Sequence, residues 1–133
     1  MKAYSDLKEL PQGGVEVRVE GNTLRIFFDF EEITVGDKES GKESEPKKQL
    51  KYESIDIVDG RTYPDIVSAI VRDRYSDNEI QAILANYAEV NNPASVMSLT
   101  PEKKEEYLQE YADFQMWRGH AKEVAHIVLT LIW

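Results

Sequence analysis

Apolar and polar residues alternate along the segment GGVEVRVEGNTLRIFFDFEEITV, on both sides of Gly21-Asn22. A period of two is typical of a β-strand with one buried face, because successive side chains point to opposite sides of the sheet. Gly-Asn suits a two-residue hairpin turn, since both residues tolerate a positive φ. The pattern predicts a β-hairpin whose apolar face is made of Val15, Val17, Val19, Leu24, Ile26, Phe28 and Phe30.

The next two segments differ sharply in composition. Residues 36–49, GDKESGKESEPKKQ, contain no large apolar side chain and mix acids with lysines, which predicts a mobile loop. The segment LKYESIDIV then predicts a third strand, and its apolar spacing changes phase near Glu53-Ser54. Such a phase change indicates a β-bulge or a break.

Three helices are predicted after the strands from their start signals. Pro64 and Asp65 suit the first turn of one helix, and Ser76 with Glu79 forms the capping-box pattern of a second. Thr100 and Pro101 begin a third, whose three-and-four apolar spacing continues to the chain end. If continuous, that helix is about 50 Å long at about 1.5 Å per residue. This is more than a small sheet can cover, so part of it is expected to project or to pair with another copy.

We therefore predict a single α+β domain over residues 1–133. Residues 1–58 form the β part, a small antiparallel sheet made of the N-terminal hairpin and a third strand, with the mobile loop at 36–49. Residues 59–133 form the helical part, in which three C-terminal helices pack on the sheet and the last is long.

Composition narrows the range of partners. The chain has 25 acidic and 16 basic residues and a net charge of −9, which disfavours binding to nucleic acid or to an anionic membrane surface. It has no cysteine, which excludes disulfides, thiolate catalysis and zinc sites built on sulfur. The longest apolar run, IVLTLIW, is shorter than the roughly 20 residues of a membrane span. A cytoplasmic protein without a membrane partner is expected.

In the segment VRDRYSDNEIQAILANY, a few polar residues separate two apolar segments, as in a DNA-reading helix-turn-helix. Such a motif needs cations around the reading helix to bind phosphates. Between Arg74 and Lys103, however, the sequence has no lysine or arginine. We interpret the segment as two helices that pack against each other across a capped turn.

His120, Glu123 and His126 suggest a metal site on the last helix, because Glu-x-x-His is the spacing of di-iron helical bundles. A di-metal site needs a second such pair, and the sequence has none. We predict no metal, no cofactor, no small-molecule ligand and no enzymatic activity, with a metal-dependent enzyme as the remote alternative.

Residues of types common at protein interfaces cluster late in the chain. The run IVLTLIW would form an exposed apolar patch unless it is tucked into the fold or against another chain. The candidate protein-contact residues are Arg74, Tyr75, Trp117, Arg118, Leu131, Ile132 and Trp133.

The block GRTYPDIVSAIVRDRYSDNEIQAILANY, followed by EEYLQEYADFQMWRGHAKEVA, resembles small proteins of phage and prophage tail or structural regions. The resemblance covers about residues 60–125. It implies a virion or assembly component, or a tail-associated accessory protein, found in the cytoplasm of a bacterial host or in the virion, with no catalytic residues to transfer. The positions that match, which it implies to be packing, capping and contact residues, are Arg74, Tyr75, Ser76, Tyr111, Phe114, Trp117 and Arg118.

Our leading hypothesis is a non-enzymatic structural or assembly protein that associates with itself, as a homo-oligomer, or with a protein partner. The alternative is a monomeric acidic accessory or inhibitor protein that binds a basic partner.

Overall fold

A computed structural model of the chain describes residues 2–6, 12–35 and 47–133. Its strands form one antiparallel sheet in the order β1-β4-β3-β2, with the bounds β1 (Lys2–Asp6), β2 (Val15–Glu20), β3 (Thr23–Val35) and β4 (Lys47–Val58). Three helices follow, namely α1 (Tyr63–Arg74), α2 (Asp77–Asn91) and α3 (Pro101–Ile132). The predicted α+β fold, with a hairpin, a further strand and a long last helix, is confirmed.

One strand, β1, was not predicted. It pairs with β4, so that Ala3 lies opposite Tyr52 and Ser5 lies opposite Leu50. This pairing uses main-chain hydrogen bonds, and KAYSD carries no alternating apolar pattern that would announce a strand. The addition leaves β1 and β2 as the two edges of the sheet.

The hairpin of β2 and β3 turns at Gly21, which has a φ of 58° and so occupies the left-handed region that glycine adopts without cost. On β3, the side chains of Leu24, Ile26 and Phe28 are fully buried. The predicted alternation is therefore confirmed along this part of the strand.

Beyond Phe28 a β-bulge reverses the faces of β3. Phe28 lies opposite Glu53 but Glu31 lies opposite Lys51, so Asp29 and Phe30 together oppose a single residue of β4. Asp29 has a φ of 55°. The extra residue turns Phe30 to the face away from the helices, where its ring stacks 5.2 Å from that of Tyr52. The prediction that Phe30 continues the core face is wrong. The irregularity predicted near Glu53-Ser54 is present as this bulge, but the extra residue belongs to β3 and not to β4.

The predicted mobile loop at 36–49 lies mainly outside the described residues, which resume at Lys47. Its last three residues belong to β4 and pair with the end of β3, with Lys47 opposite Val35. The loop boundary was wrong here because strand pairing joins main-chain groups and does not require apolar side chains.

All three helices begin with side-chain caps, of which those at Ser76 and Thr100 were predicted. Thr62 and Asp65 form a capping box at α1, Ser76 and Glu79 form one at α2, and the Thr100 side chain accepts a hydrogen bond from the Lys103 N–H at α3. The pKa of Asp65 is lowered, mainly by the hydrogen bond from the Thr62 side chain and next by the one from the Thr62 backbone N–H. Each cap satisfies an N–H group that the helix leaves unpaired.

The core lies between one face of the sheet and the helices α1 and α3. Both α1 and α2 pack mainly against α3 and make little contact with each other, so the interpretation of a mutually packed helix pair is corrected. Tyr87 of α2 stacks on Tyr111 of α3 with ring centroids 3.6 Å apart. Within the described ranges, no helix combines the length and apolar character of a membrane span.

Candidate functional site

Trp117 is a core residue, with 6% of its surface exposed. Its Nε1–H donates a hydrogen bond to the carbonyl oxygen of Ile70 at 3.1 Å. The guanidinium of Arg74 lies 3.6 Å from the centre of the Trp117 ring. Two predicted contact residues therefore contact each other, and the indole is not presented to a partner.

Tyr75 also makes its contacts within the fold. Its ring stands edge-on to Phe114 at 5.3 Å, and its N–H closes α1 on the carbonyl oxygen of Val71. Together with Arg74 and Trp117, this contact fixes the α1–α2 junction on α3. Of the two candidates on α3 near the junction, Arg118 has an exposed side chain and Trp117 is buried, while Arg74 on α1 is exposed as well.

The C-terminal run IVLTLIW divides between core and surface. Val128 is fully buried, and Ile127, Leu129 and Ile132 are half-buried against the core. Leu131 and Trp133 are 51% and 86% exposed. The Trp133 N–H donates a hydrogen bond to the carbonyl oxygen of Leu129, which continues the helical bonding to the end of α3. The Trp133 side chain is therefore an exposed group at the end of this helix.

Leu131 lies beside the edge of the sheet, and Trp133 follows two residues later at the end of α3. Leu131 and Ile132 line a depression of about 570 Å³ together with β2 residues, including Val17 and Val19. Val19 is about half exposed, and none of the described strands pairs with the outer side of β2. We call Val19, Leu131, Trp133 and this unpaired side of β2 the β2-edge surface.

His120, Glu123 and His126 do not converge. His120 Nε2 lies 2.5 Å from Asp29 Oδ1, while the His126 ring packs on Tyr63 with centroids 4.8 Å apart. The Glu123 side chain is exposed. In the part of the chain that is described, no three histidine, aspartate or glutamate side chains are placed to hold a metal ion.

The contact of His120 with Asp29 was missed because it joins residues 91 positions apart in the chain. It ties α3 to the β-bulge, and the His120 ring also lies beside Phe28 and Trp117. The one signal available in the sequence is aspartate within a strand pattern, since aspartate tolerates the left-handed conformation that a bulge can require.

The β2-edge surface offers main-chain N–H and C=O groups next to apolar side chains. This combination suits pairing with another polypeptide, because an open strand edge accepts a further strand and an apolar patch favours burial. In comparisons with known proteins, the chain matches no family model, no curated protein and no solved structure.

Proposed function

We propose that the protein is a non-enzymatic structural or assembly module that associates with a second copy of itself through the β2-edge surface. The observation that carries this proposal is the exposure of Leu131 beside a strand edge with which none of the described strands pairs, with the exposed Trp133 two residues later. The same contact would remove large apolar side chains from water and would give the main-chain N–H and C=O groups of the strand edge hydrogen-bond partners.

The sequence of β2, VEVRVE, is self-complementary in one antiparallel register. If two copies pair about Val17, Glu16 of each copy lies opposite Arg18 of the other. Val15 then lies opposite Val19. Opposite charges in directly opposed positions stabilise a strand pair by about 0.2–1 kcal/mol, and two-fold symmetry makes the contact occur twice. Pairing about Arg18 would instead oppose two arginines, so the register about Val17 is favoured.

The resemblance to phage tail and structural proteins supports an assembly role, because such proteins act by contact with other chains. It rests on residues 60–125, which form α1, α2 and most of α3. In this role the protein would be found in the cytoplasm of a bacterial host or in the assembled particle.

The first test is the mass in solution, measured by size-exclusion chromatography with light scattering over a range of concentrations. We expect a dimer for the natural chain and a monomer for Leu131→Ser/Trp133→Ser. Met97→Ser is the matched control, since Met97 is 87% exposed and lies outside the β2-edge surface. These substitutions are preferable to truncation after His126, which would also remove the buried Val128.

The second test addresses the register. Glu16→Arg and Arg18→Glu should each weaken dimerisation, because each opposes like charges across the strand pair. An equimolar mixture of the two variants should restore a dimer that contains one copy of each, which native mass spectrometry resolves by mass. If each variant dimerises like the natural chain, this register is wrong.

A natural chain that stays monomeric at all concentrations would contradict self-association. It would favour the alternative, a monomeric accessory protein that binds a basic partner through its acidic surface. Capture of such a partner at low salt, and its release at high salt, would then be the measurement to make.

A further inference from the structure

A second depression lies between α1, α2 and α3 and shares no residue with the β2-edge surface. Its volume is about 570 Å³. All three helices contribute apolar side chains to its floor, which is lined by Val67, Val71, Ile80, Leu84 and Phe114.

Three cations surround this floor. Arg72 is held by Asp77, with its Nε 3.1 Å from the carboxylate oxygen. Arg118 and Lys122 follow each other by one helical turn on α3, and neither has an ion-pair partner among the residues described. We call the floor and these three cations the cationic groove.

The charge of the groove is opposite to that of the chain. The protein carries a net charge of −9, yet the rim of this depression presents two positive side chains without an ion-pair partner in the described part of the chain. A solvated helix face can carry isolated cations, but here they flank exposed and half-buried apolar groups. A ligand that matches both features has carboxylates beside apolar side chains.

We propose that the cationic groove binds an acidic amphipathic helix of a partner protein. Along α3, the groove runs from Phe114 to Lys122, which is about 12 Å at about 1.5 Å per residue and accommodates about two turns of a docked helix. Apolar side chains of that helix would pack on Val67, Ile80 and Leu84. Its carboxylates would pair with Arg118 and Lys122.

The shape of the groove favours a helix over other anionic ligands. A small molecule is normally buried over most of its surface when it binds. This groove is open to solvent, since the lining residues Pro64, Ser68 and Leu84 are exposed. A nucleic acid would bind through its phosphates, would leave the apolar floor unused and would meet the repulsion of the whole chain.

The test uses fluorescence anisotropy with a labelled synthetic peptide in which leucines repeat at helical spacing and glutamates flank them. We expect it to bind the natural chain, and we expect Arg118→Glu/Lys122→Glu to weaken binding by about tenfold or more. Lys103→Glu/Lys104→Glu is the matched control, because it makes the same charge change on the same helix outside the groove. This control should bind the peptide nearly as tightly as the natural chain.

A second variant separates the apolar contribution from the charge. Leu84→Ser alters a partly exposed side chain of the groove, so the fold should survive, and we expect a several-fold weaker affinity for the same peptide. Circular dichroism of each variant checks that the helices remain formed.

Four results would overturn the proposal. One is no binding of the acidic peptide at concentrations up to about 1 mM. Another is an equal loss of affinity in the groove and control variants, which would reflect net charge alone. The third is tighter, groove-dependent binding of a single-stranded DNA oligonucleotide. Loss of the dimer in Arg118→Glu/Lys122→Glu alone would also overturn it, because the groove would then bind a second copy.

Discussion

The two halves of α3 perform different tasks within one continuous helix. Every buried residue of α3 lies in its second half, after Asp113, and these residues are Phe114, Trp117, Ala121, Val124, Ala125 and Val128. The first half, 101–113, has none and carries five acids against two lysines. This first half packs against α2 and not against the sheet, through the stack of Tyr87 on Tyr111.

This contrast shows that helical periodicity identifies a face but not the depth to which that face is buried. Leu108 and Phe114 both belong to the apolar pattern of α3, yet Leu108 is 44% exposed and Phe114 is 4% exposed. What differs is the layer opposite each residue. The second half of α3 meets α1 and the sheet, which close around it from two sides.

Trp117→Ala should produce the largest effect. It removes a buried indole, its hydrogen bond to Ile70 and the surface on which Arg74 stacks, so the free energy of unfolding should fall by about 3–5 kcal/mol. Urea unfolding followed by circular dichroism measures the change. Trp117→Phe keeps a ring but loses the N–H, and a loss as large as that of Trp117→Ala would contradict the importance of ring packing.

Val128→Ala and Leu108→Ala form a matched pair across the two halves. Val128 is fully buried, so its truncation should cost about 2 kcal/mol from lost burial and the cavity left behind. Leu108→Ala removes more carbon atoms but at a half-exposed site, and it should cost less than about 0.5 kcal/mol. Equal losses in urea unfolding would remove the distinction between the halves.

The first half should have one measurable tertiary contact, the stack of Tyr87 on Tyr111. A double-mutant cycle with Tyr87→Leu and Tyr111→Leu isolates the coupling, which should be about 0.5–1.5 kcal/mol. A coupling near zero would mean that α2 contributes little to holding the first half of α3.

Local signals predicted much of the fold. The caps at Ser76 and Thr100 located two helix starts because they depend on side chains within a few residues of each other. The alternation from Leu24 to Phe28 likewise predicted the buried face of β3. It failed at Phe30 because the bulge at Asp29 adds one residue and reverses every side chain after it.

Tertiary contacts explain what the sequence did not predict. Trp117 was predicted to be a contact residue, but it is buried against Ile70 and Arg74, which belong to another helix. The candidates Leu131 and Trp133 are exposed as required for a contact, but the position of Leu131 beside β2 depends on how α3 crosses the sheet. The cationic groove was missed for the same reason, because three separate helices form it.

The order of strands in the sheet also has a kinetic consequence. β2 and β3 are joined by a tight turn, whereas β1 pairs with β4, with Lys2 opposite Glu53. Closing the hairpin costs little loop entropy, but β1 can add only after β4 is in place. We expect β1 to join after the folding transition state, so that weakening its pairing accelerates unfolding while Ile26→Val in the hairpin slows folding.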